Sequence, residues 1–265
     1  MKLSIIGAGN MGGAIVRGLV QGSIFKPSDI TVIDVFEAPL NALQDFNPSI
    51  RTALKDYDSV ENADIILLAV KPWFIKDTIL GIKSKLDYSK QVIVSIAAGI
   101  SIDEMNESFL KENDEKSLPT VFRVIPNTAI SIRQSITLIA SQNASPKEET
   151  LLLNIFNELG SAVLLDESKM AAGTALTSCG IAYFFRYVRA ATLAGVEMGL
   201  PPKDVQNLVV KTMLGAASLL DETKENPETE IDKVTTPGGI TIKGLNELEA
   251  NGFSNAIIKG IKASR

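Results

Sequence analysis

The chain holds no histidine, so acid–base and metal-ligand chemistry of the imidazole kind must come from other groups. What it does hold, near its start, is Gly7-Ala8-Gly9-Asn10-Met11-Gly12. Glycines at that spacing have separate tasks where a strand runs into a helix. The first allows the tight turn, the second lets the backbone approach a pyrophosphate, and the third lets helix and strand pack closely. The start of the helix then offers free N–H groups and the positive end of its dipole to phosphate. The same spacing also serves a plain strand-to-helix turn, so context decides. The next apolar run, Ile30–Asp34, ends on an acidic residue. It lies about twenty residues past the loop, where a carboxylate meets the ribose hydroxyls of an adenosine. The Gly7–Gly12 loop and Asp34 together are read as a dinucleotide site.

A carboxylate at Asp34 repels a 2′-phosphate, and no Lys or Arg occurs between Asp34 and Arg51. The expected cofactor is therefore NADH or NADPH, with the charge argument leaning to NADH. Further along, Ala69-Val70-Lys71-Pro72 follows an apolar strand, and Ser95-Ile96-Ala97-Ala98-Gly99 follows the next. Ligands of open α/β sheets bind along that carboxyl edge. Lys71 is placed to meet phosphate or ribose oxygens, and small residues such as Ala97 leave room for a flat nicotinamide ring. Near the other end of the chain, Pro237-Gly238-Gly239 forms a turn ahead of a helix through Leu245 and Leu248. The N–H groups of Gly239, Ile240 and Thr241 then point outward as an anion site, with the Thr241 hydroxyl as one more donor. A surface turn explains the same residues equally well.

These residues need a scaffold. Leu3–Ile6, Ile30–Asp34, Ala63–Val70, Gln91–Ile96, Thr120–Val124, Ile136–Ala140 and Ser161–Leu164 read as strands, separated by helical segments such as Asn10–Val20. Continuous apolar strands of this kind belong to a parallel sheet covered on both faces. The fold class is thus α/β, an N-terminal Rossmann doubly wound domain over residues 1–164, followed by an all-helical C-terminal domain over 165–265. Ser145 caps a helix that begins at Pro146. Cys179–Gly199 is apolar nearly all round, and another helix runs from Pro201-Pro202 to about Lys224. So little helix around so apolar a member makes a thin domain. The expectation is that a second subunit completes it.

Composition excludes several classes. A net charge of -5 and the lack of any Lys/Arg run give no electrostatic footprint for nucleic acid. The single cysteine, Cys179, allows no intramolecular disulfide and fits a reducing compartment. No apolar stretch of about 18 residues calls for a membrane, and the N-terminal apolar run is too short for a signal peptide. The expected location is cytoplasmic, with no metal site.

The Gly7–Gly12 loop, Ala69–Pro72, Ser95–Ser101, Arg123-Val124-Ile125-Pro126-Asn127-Thr128, Ala175–Tyr183 and Val234-Thr235-Thr236-Pro237-Gly238-Gly239-Ile240-Thr241 occur here in that order. Over essentially its whole length the chain resembles pyrroline-5-carboxylate reductase, the enzyme of the last step of proline synthesis. The resemblance implies a nucleotide domain followed by a helical domain that interlocks with its partner in a homodimer, which often assembles further. It implies that Gly238, Gly239, Ile240 and Thr241 hold the substrate carboxylate, with the site completed by the neighbouring subunit's nucleotide domain. Glu167 matches an acidic position of the family, and Ser178 lies near its substrate pocket. The chain departs from the family where Ser178-Cys179-Gly180-Ile181 replaces the usual Gly-Ser-Gly-Pro, where Ala129 replaces a proline, and at Ile240.

A protonated cyclic imine is already electrophilic, so its reduction asks little acid catalysis of a chain without histidine. Most of the rate gain would come from positioning, with Thr241 the candidate partner for the ring nitrogen. Two other readings remain open at this point. One is a 3-hydroxy acid dehydrogenase-like oxidoreductase, although the apolar helix carries Arg186 and Arg189 rather than a lysine. The other is a non-catalytic dinucleotide-sensing protein.

Overall fold

The computed structural model describes residues 1–110 and 117–265. The chain divides into two compact units, Met1–Ser178 and Cys179–Arg265.

The first unit is an eight-stranded sheet with helices. Its strands are β1 (Leu3–Ile6), β2 (Ile30–Asp34), β3 (Arg51–Leu54), β4 (Ile65–Leu68), β5 (Val92–Ser95), β6 (Thr120–Ile125), β7 (Ser135–Gln142) and β8 (Gly160–Leu164). The helices are α1 (Asn10–Val20), α2 (Glu37–Phe46), α3 (Ile75–Ile82), α4 (Ile102–Phe109), α5 (Pro146–Asn157) and α6 (Met170–Thr177). The sheet order is β3-β2-β1-β4-β5-β6-β7-β8. From β1 the chain moves outward through β2 and β3, then returns to lay β4 on the other side of β1. The carboxyl ends of β1 and β4 therefore flank the switch point where open sheets bind ligands.

The central strands are sealed on both faces. Every residue of β1, β4 and β5 is buried, which is why those segments read as unbroken apolar runs. Alternate residues feed two separate cores. Ile5, Leu67, Val94 and Phe122 face one layer of helices, while Ile6, Leu68, Ile93 and Val121 face the other. Each buried aliphatic side chain stabilises the sheet by about 1.5–3 kcal/mol relative to exposure.

Two features differ from the sequence expectation. β3 is short and half exposed, with Arg51 and Leu54 facing solvent, so it carried no apolar signal. The sheet is also not wholly parallel, since β7 runs antiparallel to β6. The connection 126–134 holds only a 3-10 turn, Thr128–Ile132. A parallel crossover needs about a dozen residues or more, whereas this short link reverses the chain, ending on Arg133 in the left-handed region at φ 59°. β8 then pairs parallel with β7.

The sequence pattern sets the domain division between residues 164 and 165, and the compact units divide after Ser178. The intervening residues stay with the sheet because α6 packs on β7. Met170 lies in the second core, and a Cβ on Gly173 would come 2.5 Å from Leu138 Cδ1.

The second unit is helical: α7 (Gly180–Glu197), α8 (Pro202–Thr223), α9 (Pro227–Lys233), α10 (Ile240–Ala250) and α11 (Phe253–Ala263). α7 and α8 cross closely, with Val205 Cγ1 only 2.4 Å from where a Cβ on Gly195 would stand. The Tyr183 hydroxyl on α7 reaches Ser264 just past α11. Among the described residues, Val205 is the sole buried hydrophobic side chain of this unit. No described helix is long and apolar enough to cross a membrane.

Candidate active site

The loop between β1 and α1 is built as its glycines require. Gly7 sits at φ +109°, and a Cβ there would lie 2.6 Å from the carbonyl oxygen of Ala69. Its N–H donates to Ile33 O at 2.8 Å, tying the turn to β2. At Gly12 a Cβ would stand 2.0 Å from Gly7 O, so only glycine lets α1 begin this close to the sheet. Around Gly9 no described residue comes within 4 Å of the corresponding point. Gly9 and Asn10 are exposed, Met11 packs against the first core, and the first α1 backbone bond outside the helix proper is Gly13 N–H to Gly9 O at 2.7 Å. Among the described residues the N–H groups of Asn10, Met11 and Gly12 have no acceptor. A pyrophosphate-sized anion fits this arrangement of open space, unused donors and a helix start.

Asp34 is tied to the glycine loop. Oδ2 accepts the Ala8 N–H at 2.6 Å and Oδ1 accepts the Phe36 N–H at 2.9 Å. Ala8 thus spends its N–H on Asp34 rather than on a ligand. Two such bonds leave the carboxylate with lone pairs for hydroxyl donors. Sheet pairing also ties down the Asp34 backbone: Lys55, past the end of β3, donates its backbone N–H to Asp34 O at 2.9 Å.

Along the same edge, Lys71 is exposed and its side chain has no partner among the described residues, while Pro72 opens a 3-10 turn through Phe74. Ala69 and Val70 are half buried beside Gly7. After β5 the side chain of Ala97 turns into the second core, and its N–H meets Ser95 Oγ at 3.3 Å. Ala98 and Gly99 are the exposed members of that segment.

Glu167 and Ser178 sit at the two ends of α6. Glu167 Oε1 accepts from Arg123 Nη1 at 3.0 Å and from the Ile102 N–H at 2.8 Å. Ser178 Oγ donates to Pro126 O at 3.1 Å, and Asn127 Nδ2 donates to Thr177 O at 3.3 Å. The Pro126-Asn127 motif therefore anchors the end of α6. Sequence pattern by itself gives Arg123 no role. Its signal was a cation at a core-facing place in β6, between Val121 and Ile125.

Residues 167–265 match the family model described as pyrroline-5-carboxylate reductase dimerisation. Residues 2–99 match that described as NADP oxidoreductase, coenzyme F420-dependent. A pyrroline-5-carboxylate reductase of Methanosarcina acetivorans is 34% identical, covering 100% of this chain and 97% of its own length. The chain belongs to the pyrroline-5-carboxylate reductase family. It is also 36% identical, over 99% of its length, to pyrroline-5-carboxylate reductase 1 of Dictyostelium discoideum, of which it spans only 48%. The solved structure of a Plasmodium falciparum pyrroline carboxylate reductase with NADP bound superposes with a TM-score of 0.86 at 26% identity, covering 100% of this chain and 95% of that one.

In this member of the family the Pro-Gly-Gly stretch is a hydrogen-bonded turn. Pro237 and Gly238 form its corner, Gly238 lies at φ +71°, and the Gly239 N–H donates to Thr236 O at 2.9 Å. Proline followed by a positive-φ glycine is the type II pattern. The turn consumes one of the three amides expected to face outward. Those of Ile240 and Thr241 are left without acceptors among the described residues, at the start of α10 with Gly239 as N-cap. The Ile240 side chain is 86% exposed beside them.

Proposed function

We propose that this protein reduces 1-pyrroline-5-carboxylate to proline. The observation that carries the reading is the Gly7–Gly12 cradle, with Asp34 locked beside it, in a chain of this family. A bound reduced nicotinamide dinucleotide would supply the hydride. The chain's own residues do the rest. The amides of Asn10, Met11 and Gly12 face the pyrophosphate, Asp34 accepts from the ribose hydroxyls, and Lys71 adds positive charge at the sheet edge. The amides of Ile240 and Thr241 take the substrate carboxylate, and the Thr241 hydroxyl reaches for the ring nitrogen. The working molecule is a homodimer in which the nucleotide unit completing each site comes from the neighbouring subunit, as the family resemblance implies.

Purified protein mixed with pyrroline-5-carboxylate and reduced dinucleotide should consume nicotinamide absorbance and form proline. Binding of dinucleotide without any turnover would leave the sensing reading instead. Thr241→Ala should lower kcat roughly 10- to 100-fold with little change in dinucleotide affinity; unchanged kinetics would remove Thr241 from the mechanism. Asp34, fixed by two amides, favours NADH. With its carboxylate removed, Asp34→Ser should shift kcat/KM toward NADPH by about 10-fold, and an unmoved ratio would show that selection lies elsewhere.

A further inference from the structure

β6 presents Val121, Arg123 and Ile125 to the second core. Its cation has no place in that apolar stripe unless something answers it. The answer comes from Glu167, beyond β8, whose side chain is 30% exposed against 14% for Arg123. Replacing such a pair by apolar residues often costs no stability, so its effect is sought in position rather than in stability. The pairing is also incomplete, because Arg123 Nε is buried without a partner among the described residues. The same Glu167 oxygen accepts the N–H of Ile102, the first residue of α4. A carboxylate there also meets the positive end of the helix. α4 already has its own cap, in which Ser101 and Glu104 exchange hydrogen bonds. Two carboxylates from distant parts of the chain therefore fix one helix start.

That start closes the segment 96–101, whose beginning is β5. Ser95, the last residue of β5, is the register partner of Arg123. One end of the segment is thus set by the pairing of β5 with β6 at Arg123 and the other by Glu167, and its exposed residues are Ala98 and Gly99, on the carboxyl edge where the nicotinamide is proposed to lie. We infer that Glu167, held by Arg123, is a positioning residue that sets the β5–α4 segment for hydride transfer. The inference rests on the proposed reductase reading and assigns Glu167 to the scaffold of the cofactor rather than to contact with the imine.

The test uses the full-length protein with Glu167→Gln, Glu167→Ala, Arg123→Met and Arg123→Lys, and two measurements. In amide hydrogen exchange without dinucleotide, Glu167→Ala and Arg123→Met should speed exchange across residues 96–104. In steady-state kinetics, the same two should lower kcat roughly 10- to 100-fold while KM for the imine acid moves less than about 3-fold. The double variant Glu167→Ala/Arg123→Met should be no worse than the poorer single. Arg123→Lys and Glu167→Gln, which keep donor and acceptor, should recover most of kcat, and they carry the test if the harsher variants fail to fold. Unchanged kcat in every variant overturns the inference. So does a rise in KM alone for Glu167→Ala with Arg123→Met unaffected, which marks direct substrate contact. If the unaltered protein fails to reduce the imine, the reductase reading falls, while the exchange arm still decides whether the pair holds the segment.

Discussion

In Met1–Ser178 the rings of Phe109, Phe122 and Phe156 are sealed from solvent; in Cys179–Arg265 those of Phe184 and Phe185 stand 60% and 63% exposed. Tyr187, Leu193, Leu208, Leu214 and Leu219 are exposed as well. The two units draw on the same residue types. The first can bury its apolar side chains because a sheet offers two faces and helices cover both. The second has helices but too little chain to cover them. A monomer seldom leaves so many large apolar side chains in water unless another surface meets them. The dimerisation model that matches this unit agrees with that reasoning.

The contrast can be broken by experiment. The largest effect is expected from a charge on α7. Phe185→Asp should weaken self-association about 100-fold or more, seen as a fall in mass by light scattering at dilute concentration. Leu80→Glu, at an exposed apolar position on α3 of the first unit, should leave the mass unchanged. Equal dissociation by both would erase the distinction between the units. Next, Phe122→Ala in the first core should cost about 3–5 kcal/mol at any protein concentration. Leu214→Ala should instead lower the melting temperature by an amount that depends on protein concentration, as expected where folding and assembly are linked. A concentration-independent loss at Leu214 would argue for a self-contained helical unit.

The smallest effect concerns the cap of α4. The Glu104 carboxyl is held below its ordinary value of 4.5, first by the Ser101 backbone N–H, then by the Ser101 hydroxyl, with burial opposing and the charge of Arg123 adding a little. A carboxyl lowered in the folded state stabilises it above the unfolded pKa, and that share is lost as pH falls through the folded value. Glu104→Gln should therefore melt about 1–2 °C below the unaltered protein at neutral pH. The difference should vanish in acid below the ordinary carboxylate range. A gap that persists there would mean that the cap works by shape alone.

Much of this was legible in advance. Gly7 and Gly12 announced a close turn, and a Cβ at either meets backbone at 2.6 or 2.0 Å. The ends of α1, the cap at Ser145 and the start of α8 followed from local rules of spacing, capping and proline. Other features depend on atoms far apart in sequence. The Ala8 amide is spent on Asp34 and the Gly239 amide on its own turn, and neither commitment shows in a residue pattern. Arg123 and Glu167 lie on separate elements, and only the sheet register with the path of α6 brings them to Ile102.

By itself the order of residues determined which strands of the central sheet bury, where α1, α5 and α8 begin, and where a close glycine turn stands, because period, capping and glycine geometry act over a few neighbouring residues. The tertiary structure alone decided the reversal between β6 and β7, the Ala8 amide on the Asp34 carboxylate, and the pairing that meets the start of α4. Those depend on which strand lies next to which, and hydrogen bonds and charges act through space at distances that the chain's own order does not record.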